Sequence, residues 1–273
     1  MIRRKLATLA LAGLLAWSAA PAYADVLGNV RAAKVLKVGT ETEFAPFDYI
    51  DAGKHVGLNV DLFDEIGKEL GVRVEWVALP WAGVLPGLES SKFDMVAGPA
   101  IITKARLQRY VFSVPFAEAT VGLLKKTSDK TLNKPADIAG KAVGSGTASN
   151  QLAQLKEYAA TLSPPATVRD YAGANEGLAD VAAGRIVAYA ISLPNGAAAA
   201  KARPEMFEMV APTFGVKSYF GYIGRKDADS ASLMQAVDGV LNKMKADGRL
   251  EALQKKWFGI TFDTPATLTD PAL

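Results

Sequence analysis

Apolar and polar positions change period along this chain in a repeating rhythm. Residues 35–39, Val-Leu-Lys-Val-Gly, are a short apolar run closed by glycine, which predicts a strand. Leu62, Ile66 and Leu70 then recur at helical spacing, with Asp61 before them as an N-cap and Gly71 after them as a stop, so a helix is predicted over 62–70. Residues 72–77 alternate as a half-buried strand, 81–88 form a short helix, and 93–97 and 119–124 are further strands. The rhythm then restarts with strand 142–144, helix 148–157, strand 168–171, helix 177–183 and strand 186–190. Two amphipathic helices, 229–246 and 249–258, close the pattern. Strands separated by helices predict an α/β architecture with mostly parallel sheets, and the restart near residue 120 predicts two lobes of similar size.

The first 24 residues follow a different logic. Arg3, Arg4 and Lys5 supply a positive start, residues 6–15 an apolar run, and Ala22-Tyr-Ala24 a small-x-small cleavage site. That order is a secretory signal, with cleavage expected after Ala24. The apolar part is too short to span about 30 Å of hydrocarbon. No later stretch reaches the roughly 18 apolar residues of a membrane helix, so an exported soluble chain is expected, periplasmic where an outer membrane is present.

Composition narrows the chemistry. The 273 residues are 50% hydrophobic and 22% charged, enough to bury a core and contrary to a largely disordered chain. With no cysteine there is no disulfide framework, thiolate metal site or cysteine nucleophile, and the single His55 rules out a histidine-rich metal centre. His55 itself reads as a solvated turn residue. The formal charge of +3 comes from Arg3, Arg4 and Lys5 alone; the rest carries 28 residues of each sign, so no basic surface for nucleic acid is expected. Gly39, Gly144 and Gly146 lack the Gly-Lys-Ser/Thr of a phosphate loop. No metal or cofactor is indicated.

Five segments in order carry a resemblance. Leu36-Lys-Val-Gly-Thr-Glu-Thr-Glu-Phe-Ala-Pro-Phe47, Gly57-Leu-Asn-Val-Asp-Leu62, Phe93-Asp94, Thr103-Lys-Ala-Arg106 with Phe112-Ser-Val-Pro-Phe116, and Asp247-Gly-Arg-Leu through Lys256-Trp-Phe-Gly259 span almost the whole mature chain. Together they resemble the family 3 extracellular solute-binding proteins of polar amino-acid ABC transporters. The resemblance implies a type II periplasmic-binding-protein fold, with lobe 1 from about 26–120 and 214–262, lobe 2 from 121–213 inserted through two hinge strands, and a C-terminal tail, 263–273. A monomer that delivers a small ligand to an inner-membrane ABC permease is implied as well.

Candidate ligand groups follow from charge and from helix and strand ends. Arg106 suits a carboxylate because its planar fork gives two parallel charge-assisted hydrogen bonds, and it matches the family's carboxylate-gripping arginine. By spacing alone it reads more readily as a surface arginine on a helical turn, like Arg109. The turn Gly144–Ser149, with Gly146 and Thr147, offers amides and a hydroxyl at a helix start, both as an anion cradle and as an ordinary capped turn. Glu41 follows a strand's C-terminal end, where open α/β sheets bind ligands, and matches a family position that is often acidic. Phe44 reads as a cleft wall, Phe47 as core, and Trp81 fits either.

Two positions depart from the family pattern. Where the family often places an acid for the ligand's α-ammonium, this chain has Ser192; where a hydroxyl usually caps the carboxylate site, it has Pro99-Ala-Ile101, with Ile101 offering only its amide and an apolar side chain. The ligand is therefore either an amino acid held with help from Glu41, or a carboxylate with no free primary amine. Two other classes stay open. Cleft enzymes of the cyclohexadienyl-dehydratase type resemble this family but need a general acid or base, for which Ser192 and Asn195 are poor material. A sensor role is the second: fusion to a membrane protein is disfavoured by the short Pro/Thr-rich ending, but a free binding protein can still present its ligand to a receptor. The expectation is a binding protein and not an enzyme.

Overall fold

The computed structural model describes residues 25–273; residues 1–24, where a signal segment and its cleavage site are expected, lie outside the described residues. Helix α1 (Val26–Ala33) opens this part, with the Asp25 carboxylate accepting the Gly28 amide at 2.8 Å. Strand β1 (Val35–Thr40) leads to a small ribbon, β2 (Glu43–Phe44), β3 (Asp48–Asp51) and β4 (Lys54–Val56). Helix α2 (Leu58–Leu70), β5 (Arg73–Ala78), α3 (Trp81–Glu89), β6 (Met95–Ile101), α4 (Lys104–Arg109), β7 (Tyr110–Phe112) and β8 (Ala117–Glu118) follow. The second run is β9 (Val121–Lys126), β10 (Ala142–Gly146), α5 (Asn150–Ala160), β11 (Thr167–Tyr171), α6 (Ala174–Ala183), β12 (Ala188–Ser192), α7 (Leu193–Ala202) and β13 (Phe207–Met209). Strand β14 (Tyr219–Arg225) and helices α8 (Ala228–Ala246) and α9 (Arg249–Phe258) complete the order.

These elements form an α/β two-lobed periplasmic-binding-protein fold. The first sheet has the order β5-β1-β6-β14-β7, with β8 also on β14, and the second β11-β10-β12-β9-β13. Both are mixed rather than mostly parallel. Three parallel strands, β5-β1-β6 and β11-β10-β12, are extended by antiparallel ones, β14 and then β7 and β8 in the first sheet and β9 and β13 in the second. The chain passes from the first sheet to the second between Glu118 and Val121, and returns between Met209 and Tyr219.

Local chemistry explains several boundaries. Helix α2 buries Leu58, Leu62, Phe63 and Ile66 and starts earlier than Asp61 predicts. Its N-cap is Gly57, at φ 141°, where a Cβ would stand 2.1 Å from the Phe47 carbonyl oxygen, so no side chain fits. Asp61 lies in the first turn, favourably placed against the helix dipole, and accepts the Trp257 indole N–H at 2.7 Å. Strand β6 continues through Pro99 because the β6–β14 register slips between Gly221 and Ile223, a bulge that tolerates the missing N–H. The C-terminal residues pack back on the first lobe: the Lys104 amide donates to the Leu273 carbonyl at 2.7 Å.

His55 is not simply solvated. Its Nε2 lies 3.0 Å from Asp48 Oδ1 and its ring meets Trp76 edge-on at 4.7 Å. Fully buried Asp48 also accepts from Asn59, whose own carbonyl accepts the Tyr222 hydroxyl at 2.8 Å. That chain of hydrogen bonds ties the ribbon to α2 and β14. Among the described residues no helix is long and apolar enough to cross a membrane.

Candidate functional site

A cavity lies where the C-terminal ends of β1, β6, β10, β11 and β12 converge, the place where open α/β sheets bind ligands. Eight of the nine residues singled out from the sequence line it: Glu41, Phe44, Trp81, Pro99, Ile101, Arg106, Gly146 and Thr147. Two hydrogen bonds cross between the lobes around it. The Trp81 indole N–H donates to the Ala148 carbonyl at 3.3 Å, and Asn195 Nδ2 donates to the Ala45 carbonyl at 2.7 Å. The lobes are therefore closed on each other.

Arg106 is held by its own short helix. The Thr103 hydroxyl caps α4 by accepting the Arg106 amide at 3.2 Å, and Arg106 Nη1 donates to the Ile101 carbonyl at 2.9 Å. Its guanidinium lies 5.8 Å from the centre of the Trp81 ring. No carboxylate among the described residues lies within ion-pair distance, and burial pushes its pKa down to about 10, so it keeps its charge at neutral pH. Arg109, one turn on, is 66% exposed and paired with Glu89 at 2.6 Å. The two arginines separate into one that faces a cavity and one that decorates a surface.

Glu41 leaves the end of β1 and faces the same cavity, with no hydrogen bond or cation on its carboxyl among the described residues. Burial, then the charges of Asp48 and Glu43, push its pKa up to about 8. The aromatic residues divide as expected for two of them: Phe44 walls the cavity while Phe47, stacked on it at 5.6 Å, is wholly buried in the core. Trp81 does both, packing with Val84 and Leu88 while one edge meets the cavity.

The second lobe departs from expectation at two points. The Thr147 amide donates to the Tyr171 carbonyl at 2.8 Å and is not available to an anion; its hydroxyl is the free group. Ser149 is the α5 cap, accepting the Leu152 amide at 3.0 Å and donating to the Gly146 carbonyl at 2.6 Å. Ser192 does not line the cavity. It is fully buried behind it at the end of β12, where its hydroxyl accepts Gln151 Nε2 at 2.9 Å. Gln151 is the side chain that reaches the cavity, together with Tyr189, and neither was singled out from the sequence. The signal for Gln151 was its place just inside a helix that starts at the Gly146–Ser149 turn.

Comparison with known proteins fits this architecture. Residues 36–260 match the family model described as bacterial extracellular solute-binding proteins, family 3. The chain belongs to this family. It is 28% identical over 261 residues to the L-cystine-binding protein TcyJ of Escherichia coli (strain K12), covering 94% of this chain and 96% of that one. It is 30% identical over 264 residues to the lysine/arginine/ornithine-binding periplasmic protein of the same strain, covering 93% of this chain and 97% of that one. Among solved structures, the ancestral amino acid-binding protein AncCDT-1, a precursor of cyclohexadienyl dehydratase, superposes with a TM-score of 0.75 at 29% identity, covering 86% of this chain and 100% of that one.

The arrangement in this family member has a definite chemical character. One half-buried cation, Arg106, and one half-buried acid, Glu41, face a single cavity, and neither neutralises the other. The second lobe contributes Ser145, Thr147, Gln151 and Tyr189, all without formal charge at neutral pH. Among the described residues no group of three or more His, Asp or Glu side chains could hold a metal ion.

Proposed function

We propose that the protein captures an amino acid in the cavity between its lobes, delimited as 26–120 with 214–262 and as 121–213, and passes it to the permease of an ABC uptake transporter. Arg106 and the Thr147 hydroxyl hold the ligand carboxylate, and Glu41 faces its ammonium. The observation that carries the reading is one cavity lined by a half-buried cation, Arg106, and a half-buried acid, Glu41, that are not paired with each other. A buried charge without a partner is costly, and a zwitterion supplies both partners at once. The relatives named for binding cystine, lysine, arginine and ornithine support an amino acid as the class. Export to the periplasm as a monomer, after cleavage behind Ala24, completes the proposal.

The test is a thermal-shift screen of the mature chain, from Asp25, against amino acids, betaines, ectoines and organic acids. A ligand present at 100 times its Kd adds about 2.7 kcal/mol to stability. A shift with organic acids that carry no cationic group but none with amino acids refutes the role given to Glu41. One observation favours a second reading: a carboxyl with its pKa raised to about 8 has the character of a general acid, which a cyclohexadienyl-dehydratase type of enzyme requires. We expect binding without turnover, checked by chromatography of cyclic hydroxy acids after incubation with the protein.

A further inference from the structure

Glu41 stands at a junction. It lines the ligand cavity and also a groove bounded by Glu43 and Glu176, the two spaces sharing Ala172 and Gly173. The groups that face it come from every element packed around it: Glu43 on β2, Asp48 on β3, Glu176 on α6 and Tyr189 on β12. All are acids or neutral. Asp48 has its own partners in His55 and Asn59, and Arg106, across the cavity, makes no ion pair with Glu41. An ionised Glu41 in this setting lacks a counter-charge and adds to a cluster of like charge.

We propose that Glu41 is a proton-linked selector of ligands: its carboxyl carries a proton while no ligand cation stands beside it, and a ligand ammonium displaces that proton to solvent on capture. The step balances simply. The ammonium keeps its three N–H protons, the Glu41 O–H bond breaks, the proton passes to water through the open cleft, and an ammonium–carboxylate pair remains. A ligand without an ammonium leaves the proton in place and meets a hydrogen-bond donor instead of an anion. One residue thereby serves both ligand types and distinguishes them by pH. The rise of the Glu41 pKa to about 8 through burial, Asp48 and Glu43 agrees with this geometry. Affinity for an ammonium-bearing ligand then climbs by up to about tenfold per pH unit below 8 and levels off above it.

This inference rests on the amino-acid reading of the cavity, and the experiment separates the two. Carbon-detected NMR of ligand-free mature protein labelled at glutamate, with Glu41→Gln to assign the signal, gives the Glu41 midpoint. A midpoint near 8 is expected; one near the ordinary 4.5 overturns the proposal. Calorimetry with L-arginine and L-glutamine at pH 7, in phosphate and in Tris, then counts protons. Release close to one proton per ligand is expected, and binding heat with no release, or with uptake, overturns the exchange. No heat from either, together with no thermal shift from any amino acid in the screen, refutes the amino-acid reading instead, and the NMR midpoint alone then decides whether Glu41 holds the proton.

Discussion

Replacing Arg106 with alanine should separate binding from folding. In the wild type the guanidinium donates to the Ile101 carbonyl at 2.9 Å, a bond to a charged donor worth roughly 1.5–3 kcal/mol. Against that stands the cost of holding the charge away from water. The depression of its pKa from 12.5 to about 10 corresponds to roughly 3 kcal/mol. The two effects nearly cancel, so ligand-free Arg106→Ala should melt within about 4 °C of wild type, about 1 kcal/mol for a chain of this size. Binding responds differently. A carboxylate loses a buried charge-assisted pair, which costs roughly 2–5 kcal/mol, or between about 30-fold and several thousandfold in Kd. Arg106→Lys should recover only part of this, because an ammonium does not reproduce the planar fork. The assay is calorimetry against one identified ligand, with melting curves for the same samples. Binding of Arg106→Ala within threefold of wild type refutes the site, and a fall in Tm beyond about 10 °C shows that the arginine is a structural residue instead.

Other consequences are equally open to measurement. Gly177→Ala, on α6 outside the cavity lining, would set a Cβ 2.1 Å from Tyr189 Cε2. It should lower stability by about 1–3 kcal/mol and weaken ligand binding by pushing that ring into the cavity, and denaturant titration with calorimetry checks both. Trp81→Phe removes the interlobe bond to Ala148 and should weaken binding by roughly two- to tenfold, with a more extended ligand-bound form in small-angle scattering. The stability of the ligand-free protein should fall as pH rises from 5 to 8: Glu41 keeps its proton up to about 8 in the fold, whereas the unfolded chain has lost it above the ordinary 4.5. Urea midpoints for wild type and Glu41→Gln test this, since the variant should show the flatter dependence.

Much of the fold was legible because period and punctuation agreed. The 249–258 helix was read to the residue, and the β1, β10 and β11 strands to within two. What escaped was punctuation that only tertiary contact explains. Gly57 caps α2 because Phe47 crowds it, and no spacing rule carries that information. Helix α7, Leu-Pro-Asn-Gly followed by four alanines and Lys-Ala, has no apolar period to read, and β14 is interrupted by Gly221 and Gly224, which ordinarily weaken a strand. The mixed character of both sheets depends on long returns of the chain, beyond the reach of local pattern.

The site was legible where a residue's role depends on its own element, and obscure where it depends on a neighbour. Arg106 and Glu41 follow directly from a capped turn and a strand end. Ser192 did not, because the end of β12 faces α5, so Gln151 stands between the hydroxyl and the cavity. An amide anchored through its N–H₂ to a serine leaves its carbonyl as the polar group for a ligand nitrogen, a neutral substitute for an acid. The cation and the acid of the cavity, Arg106 and Glu41, then both belong to the first lobe, and the second closes over them with neutral groups only. A ligand can form its ion pairs on the open first lobe, so charge selects at docking, whereas closure selects by shape and hydrogen bonding. That division accounts for a cavity in which Ile101, Phe44, Phe220 and Ile191 supply apolar walls while Arg106 and Glu41 stay unpaired within the protein.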